Sequence, residues 1–238
     1  MLQIIGVGLD PQKHCSSQLI GIMREADINI TFDPIGNIRS FLADVGARTE
    51  NIERLYPDHL HRQLYYSRIS EYVVDSATRH QRVTYLTYGN PCILNEPVAN
   101  IVRMCRDSGL AFKIWANVSF LDEILAENGL CVGYSGIRMC TARALIENAA
   151  TSPSEELLVV SQPIELGSLD ENQRLKVLPS DLVRLVERLL EMRGNSPTIV
   201  TQAATTHAPS NSLKATIATL PFFAAVINTL TSIIVLPR

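Results

Sequence analysis

The sequence predicts a two-domain α/β protein, with a mostly parallel N-terminal sheet carrying helices on both faces and a mixed C-terminal sheet with helices. Three observations predict it. Short apolar runs alternate with segments of helical spacing from residue 2 to residue 129, the signature of βαβ units. The alternation pauses near Gly133-Tyr134-Ser135-Gly136, which divides the chain into an N-terminal domain over 1–132 and a C-terminal domain over 133–238. Near the end, strand-like runs follow one another with no helix between them, as in a mixed sheet.

Leu2 to Val7 is apolar and ends in glycine, the pattern of a buried strand. Ser16 to Ala26 places Leu19, Ile20 and Met23 at helical spacing, and Ile28 to Phe32 is again apolar and β-branched. The stretch from Pro34 to Asn51 is mixed, with Gly36 and Gly46 as breaks. Pro57 and Asp58 open a long helix to about Ser76, with Pro57 a plausible first-turn residue. Val83 to Thr87 is the next strand, and Tyr88-Gly89-Asn90-Pro91 a turn. A helix runs from Asn95 through Asp107 and ends at Gly109. Phe112 to Trp115 is a strand, and Ser119 caps a helix ending at Gly129. In the second half, helices are expected from Thr141 and over Ser180–Arg193. Strands are expected at Leu157–Val160, Thr198–Thr201, Leu213–Ala218 and Ser232–Leu236.

The composition narrows the function classes. With 238 residues, 46% hydrophobic and 19% charged, the chain can bury a sizeable core. The net charge of −3 includes no basic block, so no nucleic acid is expected as a partner. Cys15, Cys92, Cys105, Cys131 and Cys140 are scattered and form no CxxC pair. They indicate neither disulfides nor a metal site and fit a reducing cytoplasm. The first residues read as a strand and not as a signal peptide. Residues 217–236 lack charge, but Pro221, Asn228, Thr229, Thr231 and Ser232 interrupt them. Two buried strands with a short apolar connection are expected there, and no membrane span.

Gly6-Val7-Gly8-Leu9-Asp10-Pro11 follows the first strand. It is either a loop whose glycines admit a ligand to the backbone or an ordinary strand-end turn. Asp33, about 25 residues on, stands where a dinucleotide fold places a ribose-binding acid, although the third glycine of that motif is missing. Tyr88 to Cys92 lies at the carboxyl end of a strand, where open α/β sheets bind ligands. No base neighbours Cys92, so it reads as a small buried residue. Tyr56, Arg62 and Tyr66 are the most chemically suggestive group. Arg62 and Tyr66 share a helix face, and a guanidinium beside a phenol favours the phenolate, a general base. The same spacing also suits packing, with Tyr65, Ile69, Tyr72 and Val73 as the core stripe and Tyr66 flanking it. His59, His61 and His80 do not fall on one face and indicate no metal.

Taken in order, these segments resemble the tetrapyrrole methylase superfamily of two-domain methyltransferases that use S-adenosylmethionine (SAM). Gly6 to Pro11 is similar to the family's opening glycine-rich loop, and Tyr88 to Leu94 to its YGxPxxF-type cofactor loop. Ala116 to Asp122 stands where the family has PGxSxxD, and Thr231 to Pro237 resembles its final strand. The resemblance implies a cofactor site built from Gly6, Gly8, Pro11, Tyr88, Gly89, Pro91, Ile93, Leu94, Val118 and Ser119. Tyr56-x5-Arg62-x3-Tyr66 is similar to the tyrosine/arginine helix of borosin-type peptide backbone N-methyltransferases. That implies Tyr56, Arg62 and Tyr66 as catalytic residues and a precursor peptide as substrate. Because the chain stops after the final strand, the peptide is expected from another chain. A homodimer is implied too, with Leu220–Leu230 as a surface for it. The chain departs from the family at Asn90, Cys92 and Ala116-Asn117, and Arg138 and Thr141 replace the Gln- and Glu-containing borosin segment. A small-molecule methyltransferase of the same superfamily, a non-catalytic subunit that has lost cofactor binding, and a nicotinamide oxidoreductase stand as alternatives.

Overall fold

A computed structural model describes residues 1–33, 36–56, 62–133, 136–148, 155–170, 175–203 and 209–237, without the side chains of Arg62 and Gln63. The expected helix start at Pro57 and Asp58, the histidines His59 and His61, and Tyr134-Ser135 of the expected boundary lie outside the described residues. The chain forms two compact units, Met1–Asp122 and Glu123–Arg238.

Unit 1 runs β1 (Leu2–Gly6), α1 (Pro11–His14), α2 (Ser17–Glu25), β2 (Ile28–Thr31), α3 (Asn37–Asp44), β3 (Thr49–Asn51), α4 (Arg62–Arg79), β4 (Val83–Thr87), α5 (Glu96–Ser108), β5 (Phe112–Trp115) and the start of α6 (Phe120–Glu127). Its five strands pair in the order β3-β2-β4-β1-β5, and every pairing is parallel. Side chains alternate across a strand, so β1 feeds two cores. Leu2 and Ile4 join Ile69 and Val73 of α4 and Val98 and Ile101 of α5 on one face. Ile5 and Val7 join Leu19 and Met23 of α2 and Ile38, Phe41 and Leu42 of α3 on the other. Helices thus cover both faces, as the sequence predicts, and the sheet expected to be mostly parallel is parallel throughout.

Local chemistry fixes the helix ends. Ser16 Oγ accepts the Leu19 N–H at 3.3 Å at the start of α2. Asn95 Oδ1 accepts the Val98 N–H at 3.1 Å before α5, and Gly109 (φ 70°) closes that helix, the αL cap that glycine takes at least cost. The mixed stretch after β2 holds two elements that the sequence analysis does not assign, α3 and β3. Gly36 and Gly46, expected as breaks, instead bracket α3, both with positive φ.

Unit 2 continues with β6 (Ile137–Thr141), α7 (Ala142–Glu147), β7 (Leu157–Ser161), β8 (Ser168–Leu169), β9 (Leu175–Lys176), α8 (Val183–Arg193), β10 (Pro197–Gln202), β11 (Asn211–Thr216) and β12 (Thr231–Val235). The main sheet has the order β11-β10-β12-β7-β6. Only β6–β7 is parallel, and the other pairs are antiparallel, so the expected mixed sheet is present. The strand β6 is an addition, and Thr141, expected to open a helix, is its last residue and the N-cap of α7.

The uncharged stretch resolves differently from two buried strands. β12 is buried throughout, whereas β11 is an exposed edge strand. Between them Ile217–Val226 forms a 3-10 helix that contains Pro221. Ile217, Leu220, Ala224 and Ile227 are buried in the core of their own unit, while Phe222 remains 85% exposed. Among the described residues no helix is long and apolar enough to cross a membrane.

Asn29 ties three elements of unit 1 together. Its Nδ2 donates to Met23 O at 2.9 Å and Arg48 O at 2.7 Å, and its Oδ1 accepts the Thr84 hydroxyl at 2.5 Å. The side chain is fully buried, so no water can replace a lost partner. Asn29→Leu is expected to destabilise the protein by about 2–4 kcal/mol in a urea titration, because it strands buried polar groups on both neighbours.

Candidate functional site

The register of the sheet gathers three loops at one edge. β1 and β4 end opposite each other at Gly6 and Thr87, and Ile5 stands opposite Trp115 at the end of β5. Because β4, β1 and β5 are adjacent and parallel, the segments beginning at Val7, Tyr88 and Ala116 leave the sheet together. This carboxyl edge is where open α/β sheets hold their ligands.

The three loops bind one another. Val7 N–H donates to Thr87 O at 3.0 Å, Gly8 N–H to Gly89 O at 3.3 Å, and Gly89 N–H to Gly8 O at 3.0 Å. The Tyr88 hydroxyl donates to Leu9 O at 2.5 Å. From the third loop, Asn117 Nδ2 donates to Gly6 O at 2.9 Å and His14 O at 3.2 Å. The Ser119 hydroxyl donates to Asp122 Oδ2 at 2.6 Å and accepts the Asp122 N–H at 3.3 Å, the bond that caps the first turn of α6. Pro11, at the first position of α1, and Pro91 are both buried.

The glycines answer to this packing. A Cβ on Gly6 would stand 2.4 Å from Gly89 O and 2.6 Å from Pro91 Cδ, and one on Gly8 would meet His14 at 2.5 Å. The space at both is therefore filled by the protein itself. Gly8 (φ 73°) and Gly89 (φ 68°) also adopt the left-handed backbone that side chains disfavour.

Partly exposed apolar side chains line the same edge, namely Ile93, Leu94 and Val118. Leu94 is held at φ 48°, an uncommon conformation for a branched residue. Thr87, 4% exposed, has a buried Oγ1 with no hydrogen-bond partner among the described residues. No sequence signal marks it, since a threonine in an apolar strand is ordinary. Exposed apolar groups and an orphaned hydroxyl at one strand end are what a nucleoside-like ligand with a polar tail would cover and satisfy. The residues present fit such a group.

The aromatic group stands at the same edge. Phe32 directly follows β2, and its ring lies 5.0 Å from that of Tyr56. Tyr56 stacks on Tyr66 at 5.9 Å with 29° between the planes and meets Tyr65 edge-on at 5.4 Å. Tyr65 and Ile69 are buried, whereas Tyr66 is half-buried, so Tyr66 flanks the core stripe. Arg62 begins α4, one turn before Tyr66, and its side chain lies outside the described residues. Burial, then the charge of the neighbouring Tyr66, pushes the Tyr85 phenol well above its usual range.

Other expectations change. Both oxygens of Asp33 accept backbone N–H groups, from Gly36 at 3.0 Å and Arg39 at 2.9 Å. Its carboxylate is spent on the entry to α3, which removes the support it lent to a nicotinamide site. Cys92 is exposed, not buried, because the Asn90 side chain folds its backbone into a tight surface turn through the Cys92 N–H at 2.9 Å. Cys15 is the contrasting case, with burial pushing its thiol up to about 11. At Asp10 burial opposes the charge, but Lys13 at 3.0 Å and the backbone N–H of Gln12 and Lys13 outweigh it and hold the carboxyl below its usual value.

A family model described as Tetrapyrrole (Corrin/Porphyrin) Methylases matches residues 1–221. The chain belongs to the tetrapyrrole methylase family. It is thereby a methyltransferase by family, and members of that family use SAM. Two solved structures share the fold. The methyltransferase CobJ has a TM-score of 0.69 at 13% identity, covering 100% of this chain and 94% of that one. A putative cobalamin synthesis related protein (CobF) from Corynebacterium diphtheriae has a TM-score of 0.64 at 13% identity, covering 99% and 98%. No curated protein matches the chain.

Gly6→Ala is expected to cost about 1–3 kcal/mol, because the new methyl meets backbone that cannot yield. Gly21, inside α2 with nothing among the described residues within 4 Å of its Cβ position, is the control, and Gly21→Ala should stabilise by about 0.5–1 kcal/mol through helix propensity. Chemical denaturation of the two variants reads both signs.

Proposed function

We propose that this tetrapyrrole methylase transfers methyl groups from SAM to backbone amides of a separate peptide. The observation that carries the reading is the Tyr56–Tyr66 stack at the carboxyl edge of the unit 1 sheet, one helical turn from Arg62. Tyr56-x5-Arg62-x3-Tyr66 is the spacing in which this chain resembles the borosin enzymes.

When bound, SAM supplies an electrophilic methyl group on a sulfonium. The loops Gly6–Pro11, Tyr88–Leu94 and Val118–Ser119 are the residues that would hold it, with Ile93, Leu94 and Val118 excluding water from its apolar surface. An amide nitrogen is a poor nucleophile while its lone pair is delocalised. Tyr66, as the phenolate, takes the amide proton, and the Arg62 guanidinium stabilises the charge that gathers on the amide oxygen. The amide nitrogen so freed would take the methyl group that bound SAM would supply, with S-adenosylhomocysteine as the leaving product, and Tyr66 keeps the proton. Tyr56 holds the Tyr66 ring through their stack. Tyr85 stays protonated at neutral pH and serves as a buried neighbour, not as a second base. The peptide comes in trans, and a second copy of the chain is included in the proposal, with the exposed Phe222 as part of its contact surface.

A second reading is a small-molecule methyltransferase of the corrin or porphyrin type. It is favoured by the family's corrin and porphyrin members and by the likeness to a cobalamin synthesis related protein. A third, a binding subunit without activity, draws on Asn90, Cys92 and Asn117, which replace residues usual in the family.

The purified protein, incubated with SAM and a panel of peptides, should give peptide products heavier by one or more methyl groups, with fragmentation placing them on backbone nitrogens. Methylation of a porphyrin precursor alone would replace the peptide reading with the second. No affinity for SAM or S-adenosylhomocysteine (SAH) in well-folded protein would replace it with the third. Tyr66→Phe should lower turnover by roughly 10²–10⁴-fold, the usual contribution of a general base, with SAH affinity nearly unchanged. Equal turnover would remove Tyr66 from the chemistry.

A further inference from the structure

We propose that His14 positions the glycine-rich loop through an unprotonated Nδ1, an inference that rests on reading Gly6–Pro11 as part of the cofactor site. The His14 Nδ1 lies 3.2 Å from Leu9 N and 3.2 Å from Asp10 N. Both of those groups are donors, so the ring nitrogen facing them must accept. Neutral imidazole has one acceptor nitrogen and imidazolium has none. Acceptance of both N–H groups at Nδ1 requires the tautomer that carries the ring proton on Nε2.

Three further observations place His14 at the centre of this loop, one through its ring and the others through the backbone around it. A Cβ on Gly8 would meet His14 Cβ and Nδ1 at 2.5 Å and Cγ at 2.7 Å, so the imidazole fills the concavity formed by the left-handed turn at Gly8. The backbone N–H and C=O of Gly8 are both taken by Gly89, which leaves the following two N–H groups to find partners elsewhere, and His14 supplies the acceptor for both. The His14 carbonyl in turn receives Asn117 Nδ2, the amide that also holds Gly6 O. One residue thus closes the β1 loop on itself and ties it to the loop after β5. The charged groups beside the ring on its own segment, Asp10 and Lys13, are paired with each other at 3.0 Å.

His14 acts through the loop and is a positioning residue. Its role is a demand for an acceptor at one place, and side chains can be ranked by whether they supply it. Asparagine puts its Oδ1 close to the position of Nδ1, glutamine places its carbonyl oxygen one atom farther out, and leucine supplies nothing.

The first test is nitrogen NMR of the imidazole in the full-length protein at neutral pH. The expected signature is an unprotonated Nδ1 and a protonated Nε2, and the reverse tautomer would overturn the proposal. The second is amide hydrogen exchange at Leu9 and Asp10 in ligand-free protein. His14→Leu and His14→Gln should lose roughly tenfold or more of the protection at those two amides, and His14→Asn should restore it to within about threefold of the natural protein, as expected for a loop held by two such bonds. Equal protection in the leucine variant, or equal loss in asparagine and leucine variants, would overturn it. SAH affinity by calorimetry should follow the same ranking. The NMR and exchange readouts need no ligand, so they decide the role of His14 even if the cofactor reading itself fails.

Discussion

The candidate site depends on one constraint, the in-register parallel pairing of β1 with β4 and β5. Gly6 opposite Thr87 and Ile5 opposite Trp115 make three strands stop level with one another. A one-residue slip would turn Leu2 and Ile4 to the wrong face of the sheet. It would also carry Gly6 away from the carbonyl of Gly89 and the ring of Pro91. The register is held because β1 is apolar on both faces and has a separate helical core to satisfy on each. Packing on both faces thereby fixes the position of loops whose sequence would not fix it alone.

Beyond the strand ends, ordering passes from the sheet ladder to a small set of polar contacts. Gly8 and Gly89 continue the pairing by two backbone hydrogen bonds, and the Asn117 side chain spans two loops. The glycines there are required first by the protein's own close approach. What is left for a ligand is the rim, with exposed Leu94 and half-covered Ile93 and Val118, above the buried hydroxyl of Thr87. The Tyr56–Tyr66 stack stands at the end of neighbouring β2, through Phe32. A methyl donor on the loops and an acceptor beside the tyrosines would meet along a single sheet edge.

Much of this was legible in the residues because local signals agreed. β4 and β5 have the expected ends, since each is a short hydrophobic run closed by turn chemistry. α5 carries both its caps in the sequence, Asn95 with Pro97 and then Gly109. α3 was missed although Ile38, Phe41 and Leu42 have helical spacing, because Gly36 and Gly46 read as interruptions when they are its two ends. β3 is three polar residues on a sheet edge, and nothing in its pattern distinguishes it from a loop. β11 was expected to be buried because its neighbours in sequence are apolar, yet its place at the edge leaves most of it in solvent. The turns after β1, β4 and β5 begin where the residues put them. Their internal partners were not legible, because Asn117 acquires its acceptors from strand adjacency and the local fit of the His14 ring against Gly8 leaves no periodic pattern. The order β3-β2-β4-β1-β5 brings together residues more than a hundred positions apart.

The most direct measurement is hydrogen–deuterium exchange across the whole protein with and without saturating SAH. In unit 1 the account predicts slowed exchange concentrated in peptides covering Gly6–His14, Tyr88–Leu94 and Asn117–Ser119, together and to a similar extent, because one ligand at one sheet edge covers all three. Binding of SAH that leaves those three segments unchanged, or that protects one of them alone, would contradict it.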